Sequence, residues 1–400
     1  MMKYKYASIV PLIGGETLAM EAVFGKRPEY LLSYSPFSNN DQHIVAHYKN
    51  EVPYLLLDQG AKRPTGKIDV VNTVCPCAGL SSLSPGAKSD AAANDWMSTT
   101  AKYVLEEIKP KVFWGENAPR LASKMGEPTV KKLRKIGADN GYTFAIYKTK
   151  SILHGLSQVR DRTFYFFFKG DTIPVLPFVK RPHKPIEEAI RGVERRKDDP
   201  MNVLVNAKKP SDDPFYQYVL DVMNNGMTHK QFQRSIKKSI NAMDVIENAK
   251  IPYSDVAAWF KANNFPDRLV ERCIAMDKKL KAGGNIMRKI TEVPKDYIGA
   301  FVGHYPNQLT HPDQDRYLTI RECLTLMAMP EDFVLQGGKK NLNHICQNVP
   351  VTTAKDMAQA VLDHLNGKLD TINARFAVID NKTQDIITEF IPESLDKFLK

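Results

Sequence analysis

Short apolar runs separated by amphipathic helical stretches fill roughly the first 168 residues, and this alternation restricts the fold more than any other feature. Runs at 7–12, 29–33, 53–57, 68–74, 111–115, 142–147 and 163–168 have strand length, and segments at 17–24, 41–49, 92–108 and 118–136 have helical character. Strands joined through helices form βαβ units, so the expected class is α/β with a mostly parallel sheet. Open sheets of this kind gather their chemistry beyond the carboxyl ends of the strands.

The texture changes after Lys169. Pro174, Pro177, Pro182 and Pro185, followed by the charged run 194–199, mark a boundary. Residues 213–289 then read as helical, with turns at Asn224-Asn225-Gly226 and Gly283-Gly284. Between 171 and 300 there are 23 Lys/Arg against 17 Asp/Glu, an excess of six out of a net +11 for the whole chain. After Arg316 come a helix at 319–327, another at 352–365 and a strand near 375–379. The layout is a catalytic α/β domain (1–170 and 313–400) interrupted by a basic, helix-rich insert (171–312). The positive balance favours a polyanionic partner, although a merely basic soluble protein reads the same way.

Five scattered cysteines argue for reduced thiols in a cytoplasmic setting and against a disulfide framework. Cys75-Pro76-Cys77 lacks a second ligand pair, so no metal is expected. Residues 1–15 lack a signal-peptide core and no stretch has the length of a membrane span, so no membrane association is expected.

Chemistry-bearing residues sit where the strands end. The run 68–74 leads into Cys75-Pro76-Cys77-Ala78-Gly79, and the run 111–115 leads into Glu116-Asn117-Ala118-Pro119. A thiol and a carboxyl group at the ends of two parallel strands suit covalent attack on an electron-poor ring coupled to its protonation. Taken singly, Cys77 reads as a buried structural cysteine and Glu116 as a helix-capping acid. Ile13-Gly14-Gly15 follows the first strand and fits either a close backbone approach to a nucleotide-like cofactor or a plain strand-to-helix turn. Gln158-Val159-Arg160-Asp161-Arg162 offers two guanidiniums to a carbonyl oxygen or phosphate, or a solvated strand edge. Arg321-Glu322 reads as a surface pair.

In order and spacing, these motifs resemble the cytosine-C5 DNA methyltransferases almost end to end, apart from the insert. The family's cofactor loop resembles Val10-Pro11-Leu12-Ile13-Gly14-Gly15, and its Pro-Cys loop resembles Val74-Cys75-Pro76-Cys77-Ala78-Gly79-Leu80-Ser81. Glu116-Asn117-Ala118 is similar to its Glu-Asn-Val motif, and Gln158, Arg160 and Arg162 match Gln-x-Arg-x-Arg in full. Arg316-Tyr317-Leu318-Thr319-Ile320-Arg321-Glu322-Cys323 matches a late motif, and Cys346-Gln347-Asn348-Val349-Pro350 resembles the last one.

The resemblance implies a Rossmann-like S-adenosylmethionine-dependent methyltransferase domain with a target-recognition insert. It implies double-stranded DNA as partner, a monomer, and a bacterial or phage-infected cytoplasm. Carried over residue by residue, Cys77 attacks C6 of a flipped cytosine, Glu116 protonates N3, and Arg162, supported by Arg160, binds O2. Val10, Ile13, Gly14, Gly15, Ser35, Asp58, Pro76 and Asn348 hold the cofactor. Gln158 and Ser81 face DNA. In the insert, which has no family motif to match, the candidates for reading the major groove are Lys230, Gln231, Gln233, Arg234, Lys237 and Lys238 and the stretch near Gly283-Gly284-Asn285, each of which taken singly reads as a solvated helix face. Residues 81–90 form a lid. Departures from the pattern include Ala78 for a Gln, Val10 and Leu12 for the Phe and first Gly of the cofactor loop, and Ser35 for the ribose-binding acid, with Asp41 further on. An RNA cytosine enzyme, transfer of another one-carbon group and a silent DNA-binding homologue are the competing expectations.

Overall fold

The computed structural model describes residues 4–64, 66–76, 80, 88, 95–193, 198–286, 288, 291–303 and 305–390. Two compact units divide the chain: Met1–His183 with Met327–Gly337 and His344–Lys400, and Lys184–Leu326 with Gly338–Asn343.

The first unit is built on a nine-stranded sheet. Its strands are β1 (Tyr6–Ile9), β2 (Leu31–Ser33), β3 (Tyr54–Leu56), β4 (Val70–Thr73), β5 (Val112–Asn117), β6 (Tyr142–Lys150), β7 (Asp161–Lys169), β8 (Ala374–Asp380) and β9 (Asp385–Phe390). They lie in the order β9-β8-β6-β7-β5-β4-β1-β2-β3. The run from β3 to β5 is parallel, as the βαβ reading requires. Strand β7 enters antiparallel between β5 and β6, and β9 is antiparallel on the edge. The direct β6-to-β7 connection needs no crossover helix, which is why β7 runs against its neighbours.

Both faces of β7 are buried, and its aromatics divide by the two-residue period of a strand. Phe166 stacks on Trp114 at 5.9 Å, and Phe167 stacks on Phe113 at 5.5 Å. The helices are α1 (Gly15–Phe24), α2 (Gln42–His47), α3 (Asp95–Tyr103, extended by one π-helical turn to Ile108) and α4 (Glu127–Asp139). The helix expected over 118–136 starts nine residues late. Pro119–Ala122 forms a 3-10 turn, and a Cβ at Gly126 would lie 2.2 Å from the Leu121 carbonyl oxygen, so the chain breaks there before Pro128 opens α4.

The second unit has its own core, formed by the helices Pro214–Tyr218, His229–Ser235, Ala242–Asn248, Tyr253–Ala262 and Asp267–Lys281 around Phe215, Tyr253, Val256 and Phe260. Thr319 caps the short helix Ile320–Thr325 through a capping box with Glu322. Arg321 and Glu322 are both buried rather than a surface pair. Arg321 binds Asp199, and Glu322 holds Arg316 at 2.7 Å. Among the described residues no helix is long and apolar enough to cross a membrane.

Candidate active site

Parallel pairing sets Thr73 at the end of β4 opposite Gly115 of β5. A Cβ on Gly115 would lie 2.6 Å from Thr73 Cγ2 and 2.7 Å from Tyr165 Oη, so glycine lets β4, β5 and β7 close up here. Glu116 follows, 4% exposed. It faces Phe164 across the antiparallel β5–β7 ladder, which makes Arg162 its diagonal neighbour on the same face. The Arg162 guanidinium forms an ion pair with Glu116 through Nε. Burial pushes the Glu116 carboxyl above its ordinary range, against the pull of Arg162 and then Arg160.

Arg160 precedes β7 and is 1% exposed. Its Nη2 donates to the Cys346 carbonyl at 2.6 Å and to the Asn348 carbonyl at 3.0 Å. Asn348 Oδ1 in turn accepts from the Gly15 amide at 3.0 Å. Arg160 therefore anchors the loop that caps the N-terminus of α1, whereas Arg162 meets the acid. The two arginines of one motif do different work.

The turn after β1 is unusual. Val10 and Leu12 carry φ of 50° and 49°, sparsely populated values for side chains of their size, and Gly14 sits at 104°. A Cβ on Gly15 would lie 2.0 Å from the Val349 carbonyl oxygen and 2.6 Å from Asn348 Oδ1. Gly15→Ala is expected to destabilise the first unit by about 1–3 kcal/mol through overpacking, read as an earlier denaturant midpoint with unchanged slope. An unchanged midpoint would contradict this close approach.

Ile13 is fully buried, Ser35 and Pro76 are half-buried, and Asp58 is exposed in a 3-10 turn beyond β3. Ser35 and Asp58 sit beyond the ends of β2 and β3, on the same edge as the turn after β1. Asp41 is fully buried and accepts from Tyr54 Oη at 2.9 Å. Cys77 and Ser81 lie outside the described residues, as does the expected lid 81–90 except Lys88. Cys75, two residues before Cys77, is 1% exposed, and burial raises its thiol.

Gln158 is fully buried with Nε2 near Met327 Sδ, so its carboxamide faces the interior. In the second unit the helix starting at His229 ends at Ser235, leaving Lys237 and Lys238 in the bend beyond it. Arg234, Lys237 and Lys238 are exposed, and Lys230 pairs with Asp313 at 2.8 Å. Gln233 does not face outward as expected. It lies on the apolar side of its helix and donates to the Pro294 carbonyl at 3.3 Å, while Gln231 closes a capping box with Thr228.

The residue missed in the sequence is Glu16. It is fully buried in the first turn of α1, and among the described residues neither carboxyl oxygen meets a hydrogen-bond donor at full bonding geometry, the Asn72 side chain being the nearby group that favours its charged form. Burial, then the charge of Glu116, raises it well above the ordinary carboxyl range. An acidic residue opening a helix reads as ordinary dipole compensation, and periodicity carries no signal that it turns inward.

Both acids therefore bind protons more tightly folded than unfolded. Stability from them is full below the ordinary carboxyl range and is lost as pH rises through their raised values. Denaturation midpoints should fall as pH rises above the ordinary carboxyl range, and the slope should weaken in Glu16→Gln. A flat profile would remove the case for two neutral acids. Among the described residues no group of three or more His, Cys, Asp or Glu is arranged to hold a metal.

The sequence model of the C-5 cytosine-specific DNA methylases matches residues 5–363. Over 306 residues, 75% of the chain, identity is 24% to a protein of Methanocaldococcus jannaschii that carries a type II methyltransferase name, covering 66% of that relative. It is 22% over 306 residues, again 75% of the chain, to the type II methyltransferase M.PspPI of Psychrobacter sp., covering 65% of it. The chain thus spans just under two thirds of the length of these relatives. A prophage-encoded E. coli protein named as a DNA modification methyltransferase has a similar fold, with TM-score 0.57 and 16% identity over 91% of this chain and all of that one.

Proposed function

The chain belongs to the C-5 cytosine-specific DNA methylase family, and on that footing we propose that it transfers a methyl group to C5 of cytosine in double-stranded DNA. The observation that supports this best is Glu116, a buried acid with a raised pKa, paired with Arg162 one strand away from the loop that leads into Pro76-Cys77.

S-adenosylmethionine suits the residues beyond β1, β2 and β3: a glycine turn, the exposed Asp58 carboxylate, and the Glu16 carboxyl, with no cation beside it among the described residues, for a cationic ligand. When bound, it supplies an electrophilic methyl group. The chain's own residues do the rest. Cys77 forms a bond from sulfur to C6, and the displaced electron pair is taken up as Glu116 delivers its proton to N3. Arg162 donates to O2, where charge builds; one such donor contributes about 3 kcal/mol. C5 then takes the methyl group, a base removes the C5 proton, the freed electron pair re-forms the C5–C6 double bond and expels the Cys77 thiolate, and N3 returns its proton to Glu116.

Because C5 is inaccessible in a stacked duplex, the cytosine must leave the helix first. Arg160 would hold the Cys346–Asn348 loop against α1, setting the distance between the cofactor turn and Glu116. Exposed Arg234, Lys237 and Lys238 support a DNA-facing role for the second unit.

Single-base mapping of methylcytosine in DNA from cells producing the protein, against Cys77→Ala, tests the reading. Methylcytosine in one short sequence context, absent from the control, is the expected result. Unmodified cytosine with folded protein would refute it.

A further inference from the structure

The least accounted-for group at the strand ends is Glu16. We propose that the Glu16 carboxylate is the counter-charge for the positively charged sulfonium of S-adenosylmethionine. This rests on the cofactor reading above and adds a residue to it.

Geometry carries the inference. Glu16 follows Gly14-Gly15 directly, at the turn where the chain doubles back from β1 into α1. Both of its oxygens are buried, and among the described residues neither is met by a cation or by a donor at full hydrogen-bond geometry, with only the Asn72 amide close enough to favour the charged form. Around it stand Glu116 of β5, Tyr165 of β7, Cys75 beyond β4 and Asn72 of β4, none of them a cation. Glu116 has Arg162; among the described residues Glu16 has no cation beside it. Asn72 Oδ1 is taken by Ser8 Oγ at 2.7 Å, itself bonded by Thr17 at 3.0 Å, which leaves the Asn72 amide turned to Glu16, near enough to favour its charged form but short of full hydrogen-bond geometry. A relay of three polar side chains thus fixes an amide beside an acid that lacks a cation.

Leaving a carboxylate unpaired in such a place is costly, so without ligand the group holds its proton. An arriving cation reverses the balance, and the carboxyl ionises against it. S-adenosylmethionine carries a sulfonium, and S-adenosylhomocysteine, left after transfer, carries a neutral thioether in its place. The same carboxylate would therefore favour the substrate form of the cofactor and release the spent one. Glu116, already balanced by two arginines, does not offer this discrimination.

The experiment is calorimetric titration of the full chain with each of the two molecules, in buffers of differing ionisation enthalpy near about pH 7.5, so that proton release is read with affinity. S-adenosylmethionine should release more protons than S-adenosylhomocysteine. Glu16→Gln should lose that excess and bind S-adenosylmethionine about tenfold or more weakly, with less than about threefold change for S-adenosylhomocysteine. Equal proton release by the two molecules in the parent overturns the proposal without reference to any variant. Equal weakening of both in a folded Glu16→Gln also overturns it, since that is the mark of packing or of a contact to the shared amine. A parent that binds neither overturns the methyltransferase reading and this proposal with it.

Discussion

Replacing Glu116 by Gln is expected to lower single-turnover methyl transfer by about 10² to 10⁴, the range a positioned proton donor contributes. Glutamine keeps the size of the side chain and can still accept from Arg162, but it cannot give a proton to N3. The protein should fold, because the change removes a buried ionisable group instead of stranding one. Arg162 would lose its anion, yet it is part-exposed and donates to the Asp161 carbonyl at 2.7 Å. The pH dependence has a definite sign. With Glu116 as the proposed proton donor, the rate in the parent should decline as pH rises through its raised pKa, and Glu116→Gln should abolish that limb. A variant within about threefold of the parent would remove Glu116 from the chemistry.

Asp199→Ala should destabilise the second unit by about 3–5 kcal/mol, the cost of stranding one partner of a buried pair. Arg321 and Asp199 are 4% and 7% exposed at their side chains, and the contact is two-pronged, with Nη2 donating to Oδ1 at 3.0 Å. Paired removal, Asp199→Ala with Arg321→Leu, should recover part of the loss, because no charge is then left alone. Denaturation monitored by Trp259, which is partly buried against the helical core of this unit, is the readout. A single variant within about 1 kcal/mol of the parent would show the pair to be dispensable.

Strand existence was legible because all seven predicted runs of the first 168 residues enter one sheet and all but the half-buried edge strand β3 are largely buried, and burial on two faces leaves continuous apolar segments. The direction of β7 was less legible, since periodicity is the same forwards and backwards. Helix starts misled where a break depends on a close contact, as at Gly126. Gln233 and Glu322 misled for a related reason. Both are polar residues whose helix faces inward, and a single sequence does not reveal which polar positions are buried and satisfied.

By itself, then, the sequence determined the alternating architecture, the change of character after Lys169, and the identity and order of the acid, thiol and arginine motifs. These depend on local spacing and residue type, which the chain carries directly. Tertiary structure alone decided that Arg162 meets Glu116 while Arg160 ties Cys346 and Asn348. It also decided that Glu16 is buried beside a second acid, with no cation next to it among the described residues. Both outcomes depend on which strand ends lie side by side and how much water they exclude. Register and desolvation arise from residues up to 333 positions apart, as Gly15 and Asn348 are, and no local pattern encodes them.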